Sequence, residues 1–282
     1  MTQVIYNKEK ITTNFFNNLK EISRLSRLDI IRMLTLSHCS HVGSALSVID
    51  ILTVLYNCCV DTQLIKNKSP LRDYIILSKG HAAPALYAAL AHANIISHDI
   101  LNSYFKNGGV LSGHPIKDSL PGIEASTGSL GHGLPLGVGL ALAAKNDKRP
   151  NKIYVVMGDG ECQEGSVWEA LMLASRYSLN NIIIIVDHNN LQGFGRSSNM
   201  VTGTLEEKFS AFGCNTVSIN GHNYKELLDS LMYYKLQEKP YAIIAHTIKG
   251  HGISFIQDKL EWHYKSFNQE EYQIARKELG EL

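Results

Sequence analysis

The chain has 282 residues, of which 44% are hydrophobic, and its formal net charge is +1 at pH 7. A chain of this size can bury a full core, so a small module that depends on disulfides or metal for its fold is excluded. Lysine and arginine are scattered along the sequence. We therefore expect no nucleic-acid partner and no membrane-surface partner.

Cysteine usage and apolar patterning indicate the compartment. The five cysteines form no CxxC pair and have no metal-binding spacing. The amino terminus lacks an apolar secretory stretch, and no segment approaches the roughly 18 to 20 apolar residues of a membrane span. We expect a soluble, cytoplasmic protein with reduced cysteines.

Helical periodicity appears along the chain in several places. Apolar residues recur at helical spacing from about Ile11 to Leu36, which predicts one long amino-terminal helix or two joined helices. The glycine-rich stretch from Gly128 opens as a loop and continues as a helix to Ala144. The other predicted helices run from about Ser47 to Tyr56, His81 to Ala93, Gly165 to Tyr177, Tyr224 to Tyr234 and Asn268 to Leu279. Residues 105–127 are predicted as a loop, and loops of that length are uncommon unless functional or disordered.

Four apolar runs predict buried strands between these helices. They cover Lys152 to Met157, Asn181 to Asp187, Asn215 to Ile219 and Tyr241 to Thr247. Continuous apolar runs that alternate with helices are typical of an α/β fold, in which a central parallel sheet is flanked by helices. Such sheets bind ligands at the carboxyl ends of their strands. We expect one such domain over residues 1–282, with an extended helical amino-terminal segment.

Polar motifs follow the first two strands at this edge. Asp159 lies between two glycines, and Asn189 follows 30 positions later, two residues before Leu191. Mg²⁺ takes about six oxygen ligands, some from protein and the rest from phosphate and water. Asp159 offers a carboxylate, Asn189 an amide oxygen and Leu191 a backbone carbonyl. These groups predict a metal site.

The glycines on either side of Asp159 suit a phosphate group. Gly158 and Gly160 allow phosphate to approach backbone N–H groups, and the helix predicted from Gly165 points its positive end the same way. A Gly-Asp-Gly tripeptide alone is most often a turn. A preceding strand, a following helix and the second motif together favour a clamp for a metal diphosphate.

The two motifs resemble those of a known family. Residues 158–170 together with residues 187–192 closely resemble the thiamine diphosphate motif of transketolases, and especially of the short, split transketolases whose halves are separate chains. Other segments resemble further active-site segments of the family, in family order: Cys39 to Ser47, Leu77 to Ala82, Ser112 to Pro115, Ser126 to Gly131 and Glu261 to His263.

The resemblance implies a thiamine diphosphate-binding fold of the pyrophosphate type and a transketolase activity. Such an enzyme uses thiamine diphosphate and Mg²⁺, which Ca²⁺ or Mn²⁺ can replace, to transfer a two-carbon ketol unit from a ketose, often a phosphate, to an aldehyde. The resemblance also implies that Asp159, Asn189 and the Leu191 carbonyl are the metal ligands. The residues that it implies at the cofactor are His81, Gly128, Leu130, Gly158, Gly160, Glu161, Asn189 and His263.

The same resemblance assigns catalytic roles to three histidines and a glutamate. His41, His114 and His263 should line the substrate channel, where an imidazole can accept and return a proton near neutrality. Glu164, like Glu169, matches a carboxylate that relays charge between paired active sites at a subunit interface. Glu164 can equally be an ordinary acid at a helix amino terminus. The roles of His132 and His251 stay open.

One family feature is missing from the chain. In transketolases the glutamate that activates the cofactor's pyrimidine lies in the domain that follows this one, and the sequence ends at Leu282 without it. We expect a carboxyl-terminal transketolase subunit to supply that glutamate, in a heterotetramer with two copies of each chain.

Two departures from the family pattern lie near the predicted substrate channel. Residues 192–195, Gln-Gly-Phe-Gly, replace a segment that has an isoleucine–aspartate pair in many relatives, and Ser40-His41-Val42 replaces Gly-His-Pro. They favour an unusual sugar over an ordinary pentose phosphate. Two alternatives stay open: the alpha subunit of a 2-oxoacid dehydrogenase, and a non-catalytic assembly subunit.

Overall fold

A parallel β-sheet forms the centre of the molecule. The structure, a computed structural model, describes residues 13–233 and 238–281. Within these residues five strands pair in the order β1-β2-β3-β5-β4, all parallel. The strands are β1 (Tyr74–Leu77), β2 (Ile153–Gly158), β3 (Ile182–His188), β4 (Asn215–Asn220) and β5 (Tyr241–His246).

Helices cover both faces of the sheet. The described helices are α1 (Thr13–Ser37), α2 (Val42–Val54), α3 (Thr62–Lys66), α4 (Ala83–His92), α5 (Gly133–Asn146), α6 (Gly165–Arg176), α7 (Leu205–Ala211), α8 (Tyr224–Tyr233) and α9 (Gln269–Glu278). One layer contains α1, α2, α4, α8 and α9, and the other contains α5, α6 and α7. The result is a three-layer α/β arrangement.

Side chains of β2 alternate between the two layers. Tyr154 and Val156 join the core under the first layer, whereas Ile153, Val155 and Met157 join the core under the second. This alternation explains why the strand is a continuous apolar run, since both of its faces are buried. The register pairs Gly158 with Asp187, so the polar residues that follow β2 and β3 emerge side by side.

The apolar helix α2 requires a correction to the expectation about membrane spans. The segment Val42–Cys59 is long and apolar enough to cross a membrane by length and composition alone. It is, however, 83% buried inside the fold, and all thirteen residues of α2 are buried. Burial of this kind is typical of a central core helix, because neighbouring elements cover every face.

Most predicted elements are present with shifted ends. The four predicted strands are confirmed as β2 to β5, and residues 105–127 contain neither helix nor strand. Helix α2 begins at Val42, five residues earlier than predicted, and α4 begins at Ala83 after a short 3₁₀ turn. The predicted ends at Ile11 and Tyr234 lie outside the described residues. The short elements β1, α3 and α7 were not predicted.

A buried ion pair ties α1 to α2. The Arg27 guanidinium donates to both carboxylate oxygens of Asp50, at 3.0 and 2.8 Å, and both side chains are almost fully buried. Tyr224 Oη donates to the same carboxylate at 2.6 Å, and His222 Nδ1 lies 2.7 Å from it. Burial alone would raise the pKa of Asp50, but Arg27 and His222 lower it below its ordinary value.

We expect Asp50→Ala to lower the free energy of unfolding by about 3–5 kcal/mol, because the variant leaves the Arg27 charge buried without its partner. Urea unfolding at pH 7 measures this. Since the folded pKa of Asp50 is depressed, its contribution is present above about pH 4 and is lost as the pH falls.

The matched control is Asp229→Ala. Asp229 pairs with Lys225 at 2.6 Å on the exposed face of α8, so its loss should cost less than about 0.5 kcal/mol. Equal costs for the two variants would contradict the role given to the Arg27–Asp50 pair.

Candidate active site

The predicted site residues meet in one cleft of about 480 Å³, which we call the main cleft. It lies at the carboxyl edge of the sheet, beyond the ends of β1, β2 and β3. Its lining includes His41, His81, His114, Gly128, Leu130, Gly158, Asp159, Gly160, Glu161, Glu164, Asn189, Leu191 and His263. The fold therefore brings together every residue that the sequence placed at the site.

A cluster around Asp187 holds the floor of the main cleft. Asp187, at the end of β3, is fully buried and accepts hydrogen bonds from Ser47 Oγ at 2.6 Å, from Lys79 Nζ at 2.5 Å and from Thr247 Oγ1. Burial alone would raise the pKa of Asp187, but the Lys79 charge and these donors lower it. The Asp187 cluster thus joins β3, α2 and the segments that follow β1 and β5.

The three predicted metal ligands all line the main cleft. Asp159 is 5% exposed and accepts a hydrogen bond from Ser197 Oγ. The amide oxygen of Asn189 accepts from the backbone N–H of Leu191 at 3.1 Å, which fixes the asparagine against its own loop. The Leu191 carbonyl accepts from Lys249 Nζ at 3.3 Å.

Two buried lysines add positive charge beside these oxygen groups. Lys79 and Lys249 are each 1% exposed. Lys249 Nζ donates to His263 Nδ1 at 2.6 Å. Burial, together with the charge of Lys79, lowers the pKa of Lys249 to about 8. Because Lys79 is already paired with Asp187, the charge that a bound anion would offset is mainly that of Lys249.

Three imidazoles pack together on one wall. The ring centroids of His41 lie 5.2 Å from His81 and 5.1 Å from His263. Burial is the main reason that the pKa falls to about 4 for His41 and about 3 for His263, and the charge of Lys249 adds to it. The pKa of His81 is also lowered well below its ordinary value, mainly by burial. All three rings are therefore neutral near pH 7.

His41 has an unusual backbone conformation. It precedes α2 with φ 71° and ψ 20°, and its N–H donates to the His263 carbonyl at 3.2 Å. A left-handed conformation is uncommon for a residue other than glycine, although histidine is among the residues that adopt it more often. Its Nδ1 lies 2.9 Å from Ser40 Oγ. This backbone directs the imidazole toward His81 and His263.

The rim of the cleft contains the remaining predicted residues. His114 is exposed and lies against Gly128, where an added Cβ would come within 2.9 Å of the His114 ring. Leu130 is 37% exposed, so it is not a core residue. Glu164 precedes α6, is exposed and makes no side-chain capping bond.

Glu161 is buried in the wall of the cleft. It accepts from the backbone N–H groups of Gly131 at 2.9 Å and Gly158 at 3.2 Å, and from Ser78 Oγ. It is 2% exposed, and burial raises its pKa above the ordinary value. Its bonds hold together three loops that line the cleft.

The sequence motifs did not identify several polar residues in and around the main cleft. Lys79 and Lys249 each stand one position before a glycine at the end of a strand, and this placement is the signal that identifies them. Ser44 and Ser197 carried no such signal. Ser44 Oγ lies 2.9 Å from His81 Nε2.

A second cleft, of about 600 Å³, lies beyond the ends of β4 and β5 and contains none of the predicted site residues. His222, His246 and His251 line it. His251 stacks on His222 with ring centroids 3.7 Å apart.

His132 is the other histidine whose role the sequence left open, and its Nδ1 lies 3.0 Å from the Leu130 carbonyl. Neither His132 nor His251 lines the main cleft.

The main cleft fits a divalent cation with a diphosphate. Burial raises the pKa of Asp159 above its ordinary value, because the nearest basic group described, His188 Nε2, is 3.9 Å away. A bound cation would supply the positive charge that this carboxylate lacks. A Cβ added to Gly158 meets no atom within 4 Å, so there is open space above the backbone where β2 ends.

Residues 18–281 match the family described as the transketolase thiamine diphosphate-binding domain. Because the match covers most of the sequence, the chain belongs to the transketolase family. The resemblance identified from the sequence motifs is confirmed.

Similar proteins of comparable length are subunits of larger enzymes. Over 238 residues the chain is 43% identical to an apulose-4-phosphate transketolase subunit of Actinobacillus succinogenes, covering 84% of this chain and 86% of that protein. Over 241 residues it is 39% identical to a 6-deoxy-6-sulfo-D-fructose transketolase subunit of a Clostridium species, covering 84% and 87%. The chain therefore corresponds to one of the two kinds of subunit found in two-chain transketolases.

Solved transketolases share the fold. The transketolase of Leishmania mexicana superposes with a TM-score of 0.85 at 28% identity, covering 93% of this chain and 41% of that one. The Campylobacter jejuni enzyme gives 0.83 at 29% identity, covering 96% and 43%. The chain thus spans about two fifths of these solved chains.

We expect Glu161→Ala to destabilise the fold by about 1–3 kcal/mol for each buried group left without an acceptor. Because the folded pKa of Glu161 is raised, wild-type stability declines as the pH rises through that pKa, and the variant lacks this decline. The difference between the two proteins should therefore be larger at pH 5 than at pH 8 in urea unfolding. Glu169→Ala, on the exposed face of α6, is the control, and an equal loss there would refute the assignment.

Proposed function

We propose that this chain is the cofactor-holding subunit of a two-chain transketolase, which transfers a two-carbon ketol unit from a ketose to an aldehyde. The observation that supports the proposal is that Asp159, Asn189 and Leu191 line one cleft together with Lys79, while the Leu191 carbonyl accepts from the buried Lys249. Oxygen donors of these kinds suit Mg²⁺, and Ca²⁺ or Mn²⁺ can take its place.

We assign the residues of the main cleft as follows. Asp159, Asn189 and Leu191 hold the metal ion. Gly158, Gly160, His81 and His263 contact the diphosphate, and Lys79 and Lys249 neutralise its charge. Gly128 and Leu130 border the thiazolium ring, while Glu161 fixes the loops around it.

Proton handling falls to the histidines of the cleft. Bound thiamine diphosphate supplies a nucleophilic carbon that makes and breaks bonds beside a carbonyl group. His41 and His263 are neutral, so each can accept a hydroxyl proton from a substrate and return it. A bound diphosphate raises the pKa of both rings by its negative charge. His114, which also lines the main cleft, is exposed to an incoming sugar.

A second chain completes the active site in this proposal. Phe194 is 87% exposed and Tyr264 is 61% exposed at the mouth of the cleft, and Leu136, Met172 and Leu173 are exposed on α5 and α6. Apolar groups so placed suit a partner surface. We propose a carboxyl-terminal transketolase subunit that supplies the pyrimidine-activating glutamate, with Glu164 at the interface, in a heterotetramer of two copies of each chain.

Two observations support a proposal for the substrate: the sugars for which similar proteins are named, and the residues at the mouth of the cleft. Two similar proteins are named for apulose 4-phosphate and 6-deoxy-6-sulfo-D-fructose, two specialised sugars. Here residues 192–195 place the exposed Phe194 beside Gly193, and a Cβ on Gly193 would clash with Tyr264 Oη. We propose a sugar outside the ordinary pentose phosphates.

The location of the enzyme is also a proposal. None of the five cysteines, Cys39, Cys58, Cys59, Cys162 and Cys214, is joined to another in a disulfide. Cysteines without disulfides suit a reducing compartment, and we propose the cytoplasm.

We expect Asp159→Ala to abolish retention of thiamine diphosphate by the complex of both subunits, because the metal loses its only carboxylate ligand among the three assigned. Thiamine remaining after gel filtration in Mg²⁺ measures this. The variant should stay folded, since it removes a buried carboxylate with a raised pKa. Asp147→Ala, an exposed aspartate after α5, is the control. Wild-type retention by Asp159→Ala would refute the ligand assignment.

We expect His114→Ala to lower turnover by about 10²- to 10⁴-fold, the range for a lost acid–base group, while cofactor retention stays unchanged. His132→Ala serves as the control, because His132 is exposed nearby and does not line the main cleft. Turnover is measured with a ketose donor and an aldehyde acceptor. An unchanged rate in His114→Ala would remove His114 from the mechanism. Decarboxylation of pyruvate by the wild-type complex would instead support the alternative function, a 2-oxoacid dehydrogenase.

A further inference from the structure

A carboxylate and two imidazoles meet at the far end of α4 from the main cleft. Asp29 comes from α1, His92 is the last residue of α4, and His98 opens the 3₁₀ turn that follows. Asp29 Oδ2 lies 2.9 Å from His92 Nε2 and 3.7 Å from His98 Nδ1. The three atoms all lie within 4.8 Å of one another. Three elements thus present three ligand atoms to one point.

These distances suit a tetrahedral metal ion. Zn²⁺ binds imidazole nitrogen and carboxylate oxygen at about 2.0–2.2 Å, so two ligands at the tetrahedral angle are about 3.3–3.5 Å apart. The two distances from Asp29 Oδ2 lie on either side of that value. Small rotations of the His92 and His98 rings therefore reach the required geometry. His98 is half-exposed, which leaves room for a water as fourth ligand.

Neighbouring groups prepare the carboxylate for a single metal bond. Arg32 Nη2 donates to Asp29 Oδ1 at 2.9 Å, and Asp29 Oδ2 accepts a hydrogen bond from His92 Nε2 at 2.9 Å. Zn²⁺ would take the place of the His92 proton in that hydrogen bond. Arg32 Nη1 also donates to Asn102 Oδ1, at 3.1 Å, in the turn that begins at His98. Such a hydrogen bond to the second oxygen orients a ligating carboxylate.

We propose that Asp29, His92 and His98 form a Zn²⁺ site that joins α1, α4 and the following turn. Two imidazoles with one carboxylate are donors that Zn²⁺ favours, whereas Mg²⁺ prefers oxygen ligands. The site is therefore separate in chemistry from the oxygen donors of the main cleft. A bound ion links α1 to the end of the helix that begins two residues after His81.

A second cluster of one aspartate and two histidines is not proposed as a metal site. Asp50, His222 and His251 also lie close together. Both oxygens of Asp50, however, accept from the buried Arg27 guanidinium, which cannot give up a proton to make room for a metal ion, whereas Asp29 Oδ2 accepts from an imidazole that can. His222 Nε2 accepts from the backbone N–H of Ile248 at 2.8 Å, so its proton is on Nδ1, facing Asp50. This cluster is satisfied by hydrogen bonds, and the Zn²⁺ proposal is confined to Asp29, His92 and His98.

The test is a Zn²⁺ titration of the full chain, freed of metal by a chelator and held in saturating Mg²⁺ so that oxygen sites are filled. We expect the wild-type protein to bind one equivalent that Asp29→Asn and His98→Ala each weaken by more than about 100-fold, beyond the loss caused by removing an outer-shell partner. Zn²⁺ should also raise the thermal midpoint of the wild type but not of these variants. His246→Ala is the matched control, since the His246 side chain is 51% exposed and that of His98 is 50% exposed.

Replacement of Zn²⁺ by Co²⁺ identifies the ligands. We expect visible d–d absorption of a four- or five-coordinate ion without a thiolate charge-transfer band, and its loss in His98→Ala. Unchanged Zn²⁺ affinity in His98→Ala and Asp29→Asn would overturn the proposal. So would a thiolate band, because it would assign the bound ion to cysteine. Transketolase activity is not needed for either readout, so the result stands apart from the proposed function.

Discussion

The buried carboxylate of Asp187 is the interaction on which the architecture of the site depends. It accepts hydrogen bonds from Ser47, Lys79 and Thr247, which belong to α2 and to the segments after β1 and β5. The group is fully buried, and within the part of the chain that the structure describes its charge is compensated by these donors. One side chain therefore sets the relative positions of the segments that carry the histidines and lysines of the main cleft.

Charge is arranged in the cleft so that the protein without ligand is electrostatically unbalanced. Asp159 is a buried carboxylate with a raised pKa, while Lys249 is a buried ammonium with a pKa lowered to about 8. A cation beside the first and an anion beside the second relieve both. A metal diphosphate carries both charges in one ligand, so it can compensate the Asp159 carboxylate and the Lys249 ammonium together.

Sequence patterns predicted the strands that supply the site but not all of its chemistry. Apolar runs identified β2 and β3, and the motifs beyond them placed Asp159 and Asn189 together because parallel strands end at one edge. β1 escaped detection because four apolar residues are too few to show a period. Long-range partners such as Ser197 on Asp159 depend on how loops fold back, which no local pattern encodes.

The apolar helix α2 has a consequence for biosynthesis. Its segment Val42–Cys59 could cross a bilayer by composition, and in the finished fold it packs against α1, α4 and α8 and lies in the core beneath the sheet. On the ribosome, this segment emerges more than a hundred residues before β3 and α8 exist to cover it. The nascent chain therefore carries a strongly hydrophobic stretch before the elements that cover it have been synthesised, and exposed surface of this kind favours aggregation during folding.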